Sequence, residues 1–298
     1  MYEINRIMPI PKPDELLDKA FRRMKTKNSD RDKISSFCST LSSDLKRASS
    51  QFPNIDELPE FYRALVDYTV GIAELKKSLN SVNWASKKIL QIQRSVKDKK
   101  AVFGRASSIV KKVSKNLKFL DDARKQFDSF PKIKDMFTVC ITGFPNVGKT
   151  TLLSLITKSV PEIKPYPFTT KRLNSAYFTS GGVEIQFLDT PGTLNRVDKM
   201  NKVELQSFLA MKLAAHLVIF VIDPTSELKR QVVLLRKVLS YKKPVIVYLS
   251  KSDLVDESVL NFVKSELPKS VEVITTPHNL KEEVVKHASE YYKNLLGI

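Results

Sequence analysis

Cysteine, tryptophan, histidine and long apolar runs are scarce in this 298-residue sequence, and each shortage excludes something. Two cysteines, Cys38 and Cys140, make neither a disulfide framework nor a four-ligand zinc site, and they point to a reducing compartment. No apolar run approaches the roughly 20 residues of a membrane-spanning helix; the longest candidate, Leu213–Ile222, is interrupted by His216. The N-terminal stretch MYEINRIMPIPKPDELL carries acids and prolines where a secretion signal needs an apolar segment, so a cytoplasmic protein is expected. Proline is missing between Glu60 and Phe130, a length that helices fill comfortably. Acids are missing too: Trp84–Lys118 holds 11 basic residues and one acid, Asp98. A hydrophobic share of 42% excludes a wholly disordered chain. The length suits two domains.

What is present is positive charge. Fifty basic against 32 acidic residues leave a net +18, which argues for a polyanionic partner, nucleic acid before membrane. Residues 1–137 contribute 29 basic and 17 acidic (+12), and the remainder 21 and 15 (+6). Within the proline-free stretch, Ile72, Leu75, Leu79, Val82, Ala85, Ile89, Ile92 and Val96 recur at helical spacing. A second stripe joins Ile109, Val110, Val113, Leu117 and Leu120, with Lys111, Lys112, Lys115 and Lys118 on the opposite arc at about 100° per residue. Residues 1–137 therefore read as a basic all-helical domain with a lysine-rich outer face, closed by the hinge PKIKDM. The bias toward one sign exceeds the mixed pattern that keeps ordinary helices soluble. A membrane surface is disfavoured, because the apolar stripe is already needed for the bundle core. Trp84 is expected to pack in the core rather than stack on a base, and His216 to be a packed histidine.

From residue 138 the texture changes. Apolar runs of strand length occur at Thr138–Thr142, Ser175–Thr179, Val183–Leu188, Leu217–Ile222, Val245–Leu249 and Val271–Thr275. Helical patterns at 150–158, 226–240, 257–266 and 280–295 alternate with most of them, and Ser180-Gly181-Gly182 forms a hairpin turn. This predicts an α/β domain, 138–298, with a mainly parallel six-stranded sheet covered on both faces.

After the first run comes Gly143-Phe-Pro-Asn-Val-Gly148-Lys149-Thr150, a full GxxxxGK[ST] between strand and helix. Such a loop turns successive backbone N–H groups toward a phosphate, and the following helix adds its positive end. Lys149 is placed to reach the β- and γ-phosphates and Thr150 to offer its hydroxyl to Mg2+. Asp189-Thr-Pro-Gly192 closes the third run, where a carboxylate organises the metal's waters and Gly192 meets a γ-phosphate. Between them, Tyr166-Pro-Phe168-Thr169-Thr170 supplies a threonine for the metal shell. Ser250-Lys251-Ser252-Asp253 ends the fifth run; its carboxylate can accept from guanine N1–H and N2–H2, which adenine does not offer. Thr275 and Thr276 follow the sixth run, their backbone N–H groups placed for the guanine carbonyl. The expected ligand is GTP or GDP rather than ATP.

Together GFPNVGKTT, YPFTT, DTPG and IDPTSE make the chain very similar to the Obg-type GTPases of the Nog branch. LPEFYRAL, FGRASSIVKK and FPKIKDM resemble that branch's helical domain, so the likeness covers nearly the whole chain. The resemblance implies a Ras-like P-loop GTPase domain after a helical bundle, GTP hydrolysis, and assembly of the large ribosomal subunit on its precursor and ribosomal RNA. It implies nucleotide contacts from Asn146, Val147, Gly148, Lys149, Thr150, Thr151, Phe168, Thr169, Thr170, Asp189, Gly192, Ser250, Lys251, Asp253, Thr275 and Thr276. Thr150 and Thr170 would ligate Mg2+. Lys149, Thr170 and Gly192 carry the catalytic expectation. Eukaryotic relatives have a long C-terminal extension, so the chain looks like a minimal, archaeal-type member, with a monomer favoured.

Two departures stand out. Position 250 is serine where the family has asparagine; losing one neutral hydrogen bond costs about 0.5–1.5 kcal/mol, a several-fold drop in affinity with guanine specificity kept by Asp253. Thr193 stands where many Ras-like enzymes position water with glutamine, so slow intrinsic hydrolysis is expected, helped by a partner group or a monovalent cation. Asn146 is the residue type that coordinates K+ in some related GTPases; Arg172 and Arg196 are weaker, exposed candidates. Two other readings compete: a signalling switch that binds protein, and an RNA scaffold with incidental GTP turnover.

Overall fold

The computed structural model describes residues 7–96, 98–157, 174–190 and 202–297. The chain divides into two compact units at Phe130/Pro131. This lies ahead of the boundary expected after Phe137, because the hinge belongs with the sheet: the Lys134 N–H donates to Gln186 Oε1 at 2.9 Å, and Phe137 opens the first strand.

The first unit is helical: α1 (Pro13–Lys25), α2 (Asp30–Ser50), α3 (Glu60–Thr69), α4 (Ile72–Ser95), α5 (Lys99–Lys112) and α6 (Ser114–Asp128). Two of its helices, α2 and α5, start where a side chain satisfies one of the first free N–H groups. Ser29 Oγ accepts from the Asp32 N–H at 3.0 Å and an Asp98 carboxylate oxygen from the Ala101 N–H at 2.6 Å. Gly71, at φ +85°, makes the reversal between α3 and α4 that a side chain would strain. The expected face of α4 is the buried one, with Leu75, Val82, Ala85, Ile89 and Ile92 in the core. Phe37 is fully buried between Phe21 and Phe103, ring centroids 4.7 and 4.8 Å away.

Two expectations need correction. The stripe from Ile109 to Leu120 is not one helix: Val113 leaves helical geometry at ψ 12° and separates α5 from α6. The sidedness survives the break, since Val110, Val113, Leu117 and Leu120 are buried and Lys111, Lys112, Lys115 and Lys118 exposed. Trp84 is not a core residue; it is 45% exposed. At about 100° per residue it stands roughly 200° from buried Val82, on the outer face of α4.

The second unit runs β1 (Phe137–Gly143), α7 (Lys149–Thr157), β2 (Asn174–Ser180), β3 (Val183–Asp189), α8 (Lys202–Leu209), β4 (Leu217–Ile222), α9 (Leu228–Leu239), β5 (Val245–Leu249), α10 (Glu257–Glu266), β6 (Glu272–Ile274) and α11 (Pro277–Leu296). The sheet order is β2-β3-β1-β4-β5-β6, with only β2 antiparallel to its neighbour. β1 and β4 are buried along their whole length, as the near-continuous apolar runs require of strands covered on both faces. Leu217, Ile219 and Val221 join one core with Leu152, Leu153, Ile156, Leu280, Val284 and Ala288 of α7 and α11. Alternate residues Val218, Phe220 and Ile222 face the other side. The Tyr292 hydroxyl straps α11 to the sheet, donating to the Glu184 carbonyl at 2.9 Å and accepting from the Phe137 N–H at 3.1 Å. On edge strand β2, Lys134 sits over the Tyr177 ring and Lys281 over Phe178, each 4.2 Å from the centroid.

Cys38 and Cys140 are free thiols, both buried. Burial pushes the Cys38 thiol up to about 11 and raises Cys140 as well, where the Asp189 charge adds to the effect. His216 is packed: its Nδ1 accepts from the Thr138 N–H at 3.0 Å and its ring stacks on Phe137 and tilts against Tyr291. Burial and, less strongly, the charge of Lys243 lower its pKa, against Asp135, which raises it. A lowered folded value means that the unfolded chain takes up the proton more readily. This unit should therefore be most stable above the unfolded pKa of about 6.5 and lose stability as pH falls through the lower folded value. Urea melts at pH 7 and pH 5 should show that loss, and His216→Gln should reduce it; an unchanged difference in the variant would assign the effect elsewhere.

Candidate functional site

β1 lies where the strand order reverses, with β3 on one side and β4 on the other, and such a switch point opens a crevice at the strands' carboxyl ends. The segments at that edge are the loop after Gly143, Asp189 after β3, Asp223 after β4, Ser250–Asp253 after β5 and Thr275–Thr276 after β6.

The loop owes its shape to backbone conformations that favour small residues. Gly143 (φ +149°), Asn146 (φ +63°) and Gly148 (φ +91°) all lie at positive φ. A Cβ on Gly143 would stand 2.5 Å from the Val221 carbonyl oxygen, so only glycine lets the chain leave β1 against β4. α7 begins at once, with the Leu152 N–H bonded to the Gly148 carbonyl at 2.9 Å. Its N-terminus therefore faces the crevice, where anions are favoured.

Lys149 is 8% exposed and donates to the carbonyls of Phe144 at 2.6 Å and Gly143 at 3.2 Å. Burial lowers its pKa, and the Asp189 charge works the other way. The Thr150 hydroxyl donates to Asp189 Oδ2 at 2.7 Å, joining α7 to the end of β3. These hard oxygen donors fit Mg2+, which keeps several waters and leans on substrate phosphates rather than on an all-protein cage. Thr190 is buried, and both its N–H and its hydroxyl donate to the Ile141 carbonyl, at 3.1 and 2.9 Å. Phe168, Thr169, Thr170 and Gly192, with Arg172, Thr193 and Arg196, lie outside the described residues.

On the far side of the crevice, Ser250 is 6% exposed and its hydroxyl donates to the Ile222 carbonyl at 3.1 Å. Lys251 ties this wall to the phosphate loop: its Nζ lies 3.4 Å from the Asn146 carbonyl and 2.5 Å from Asp223 Oδ2. Asp253 is exposed on a single 3-10 turn, Ser252–Leu254. Thr276 caps α11, its hydroxyl accepting from the Asn279 N–H at 3.3 Å.

Asp223, which lies in the quoted IDPTSE segment, and Gln231 were given no role from the sequence. Asp223 Oδ1 accepts from the N–H and hydroxyl of Thr225, at 2.8 and 2.6 Å. Buried Gln231 clamps the same turn, accepting from the Asp223 N–H at 2.9 Å and donating to its carbonyl at 2.8 Å. Burial raises the Asp223 pKa, but the Lys251 ammonium and the Thr225 bonds outweigh it, and the carboxyl stays below its ordinary range. A signal existed: Asp223 follows β4 as Asp189 ends β3, an acid closing an apolar strand at the same edge.

A phosphate-type loop at the switch point of a mainly parallel sheet, with a threonine–aspartate pair beside it, defines the P-loop nucleotide-binding class. Residues 138–251 match the family described as 50S ribosome-binding GTPase, and residues 4–134 the NOG1 N-terminal helical domain. An uncharacterized protein of Methanocaldococcus jannaschii is 34% identical over 281 residues, covering 82% of this chain and 79% of that one. Nucleolar GTP-binding protein 1 of Saccharomyces cerevisiae is 30% identical over 274 residues, 83% of this chain but 42% of the yeast protein. Among solved structures, the cytosolic domain of the T. maritima FeoB iron transporter in its GMPPNP form covers 51% of this chain and 64% of its own, at 26% identity and TM-score 0.44. The chain belongs to the Nog-type GTP-binding GTPases, and it spans less than half the length of the yeast relative.

The geometry gives a graded expectation in a titration with a fluorescent GTP analogue. Lys149→Ala should abolish tight binding. Asp223→Asn, which loosens Lys251 from the phosphate loop without touching Asp253, should weaken it several-fold. An Asp223→Asn affinity equal to wild type would remove Asp223 from the site.

Proposed function

We propose that the protein is a GTP-hydrolysing switch that acts on precursors of the large ribosomal subunit, its helical unit touching ribosomal RNA. The observation that carries the nucleotide part is the convergence on one sheet edge of the glycine-shaped loop, the Thr150–Asp189 pair and the Lys251 tie. Support for the partner comes from the family description, from relatives named nucleolar, and from a +18 chain whose Lys111, Lys112, Lys115 and Lys118 all face outward.

In this reading water attacks the γ-phosphate in line. The loop's backbone N–H groups and Lys149 stabilise the charge on the transferring group, and Gly148 and Thr151 line the phosphate path with Val147 beneath it. Thr150 and Thr170 would hold Mg2+, which would offset negative charge on the phosphates, and Asp189 would organise its waters. Asp253 reads guanine, with Ser250, Thr275 and Thr276 framing the base. Loss of the γ-phosphate releases Thr170 and Gly192, and that relaxation is the signal. We place the protein in the cytoplasm as a monomer; a sequence with only two cysteines fits a reducing compartment. Among the described residues no helix is long and apolar enough to cross a membrane.

A second reading, a switch that acts on a protein without RNA, has one observation in its favour. Exposed Val233 and Phe262 line a cleft of about 810 Å3 between α9 and α10.

Asn146 is the proposed K+ ligand, and turnover in KCl should exceed turnover in NaCl; equal rates would remove potassium from the scheme. For the partner, the chain loaded with a non-hydrolysable GTP analogue or with GDP is sedimented with isolated large and small subunits at two salt concentrations. Comigration with the large subunit in one nucleotide state, weakening steeply with salt, is expected. Comigration with neither subunit would leave a GTPase with a different partner.

A further inference from the structure

Trp84 is the chain's single tryptophan, and its exposed ring lies on the outer face of α4. Lys112 Nζ stands 5.5 Å from the ring centroid, so the end of α5 lies beside the middle of α4. Lys87, one turn further along α4, is exposed, as are Lys111 and Lys115 at the α5–α6 break. Among the described residues, none of Lys87, Lys111, Lys112 and Lys115 has an ion-pair partner. Elsewhere on the same unit cations do pair: Lys76 with Asp56, Arg124 with Asp121 and Asp128, Lys125 with Asp121 and Asp122. The one acid between residues 75 and 120 is Asp98. It is engaged in capping the opposite end of α5, a helix of 14 residues, about 21 Å from Lys112 along the axis.

An indole 45% exposed, with the Lys112 ammonium over its ring and further lysines without ion-pair partners on the same helices, suits a ligand that brings a planar ring and negative charge together. An unpaired nucleobase on its phosphate backbone is such a ligand. A duplex keeps its base faces stacked and offers the lysines only phosphates. An acidic peptide satisfies the lysines and leaves the indole in water. A lipid surface needs apolar neighbours, whereas the positions one turn from Trp84 are Asn80, Ser81, Lys87 and Lys88.

We propose that Trp84, with Lys87, Lys111, Lys112 and Lys115, forms a stacking site for an unpaired base of single-stranded RNA. The proposal rests on the reading that the helical unit contacts RNA, and says where and in which form.

Because Trp84 is the sole tryptophan, emission excited beyond the tyrosine absorption band reports this site alone. The full chain is titrated with a short unstructured RNA oligonucleotide, with the same strand annealed to its complement, and with polyglutamate; binding is followed in parallel by anisotropy of labelled RNA. Single-stranded RNA should quench the emission, and duplex and polyglutamate should not. Trp84→Ala should weaken single-strand binding roughly tenfold and leave duplex binding unchanged, while Trp84→Phe keeps most of the affinity. Single-strand affinity unchanged in Trp84→Ala, or equal quenching by polyglutamate, overturns the stacking site but leaves RNA binding by the unit standing. No binding of either RNA by the wild-type chain overturns both.

Discussion

A side chain at residue 143 would collide with the backbone of β4, and the candidate site grows from that exclusion. Because β1 and β4 pair in register up to Gly143 and Val221, the chain has to turn away from the sheet immediately after the last pair. The turn exposes the start of α7 at the strands' carboxyl edge, and Lys149 and Thr150 are its first two residues. Thr150 then meets Asp189 because β3 pairs with β1 on the other side, its last residue level with Ile141. The two strands beside β1 thus decide what the loop can touch.

Charge is arranged around this loop so that each ion leans on another element. Lys149 is buried with its ammonium on two loop carbonyls, and Asp189 offsets part of the desolvation that burial imposes. On the opposite wall Lys251 spans from Asp223 to the Asn146 carbonyl, linking the ends of β4 and β5 to the loop. That span does mechanical work that the shorter Ser250 does not, since its hydroxyl is turned to Ile222. With serine at this position the wall stays attached to the loop through the neighbouring Lys251.

Much of this was legible in the sequence, for a physical reason: strands buried on both faces have to be continuously apolar, and a loop that wraps phosphate has to place glycines at fixed intervals. Leu217–Ile222 and Val245–Leu249 were bounded correctly on that basis. Features that depend on which side of a helix meets a neighbour were harder to see. Trp84 reads as apolar in any one-dimensional pattern, yet Val82 and Ala85 take the core side of α4 and turn it outward. The break at Val113 preserved the apolar arc, so the stripe gave no sign of it. Asp223 and Gln231 act through a turn whose clamp joins an acid to a glutamine eight positions on, a pairing invisible until α9 folds back over β4.

The lysines laid across Tyr177 and Phe178 bear on how the molecule behaves in a crowd. An edge strand offers a row of free backbone groups to any extended chain that arrives, and its aromatic residues would make that encounter adhesive. Here one ammonium covers each face of β2, so an incoming strand meets charge that it must either desolvate or displace. The opposite edge ends in β6, only three residues long. Both edges of the sheet thus oppose pairing with extended segments of other chains.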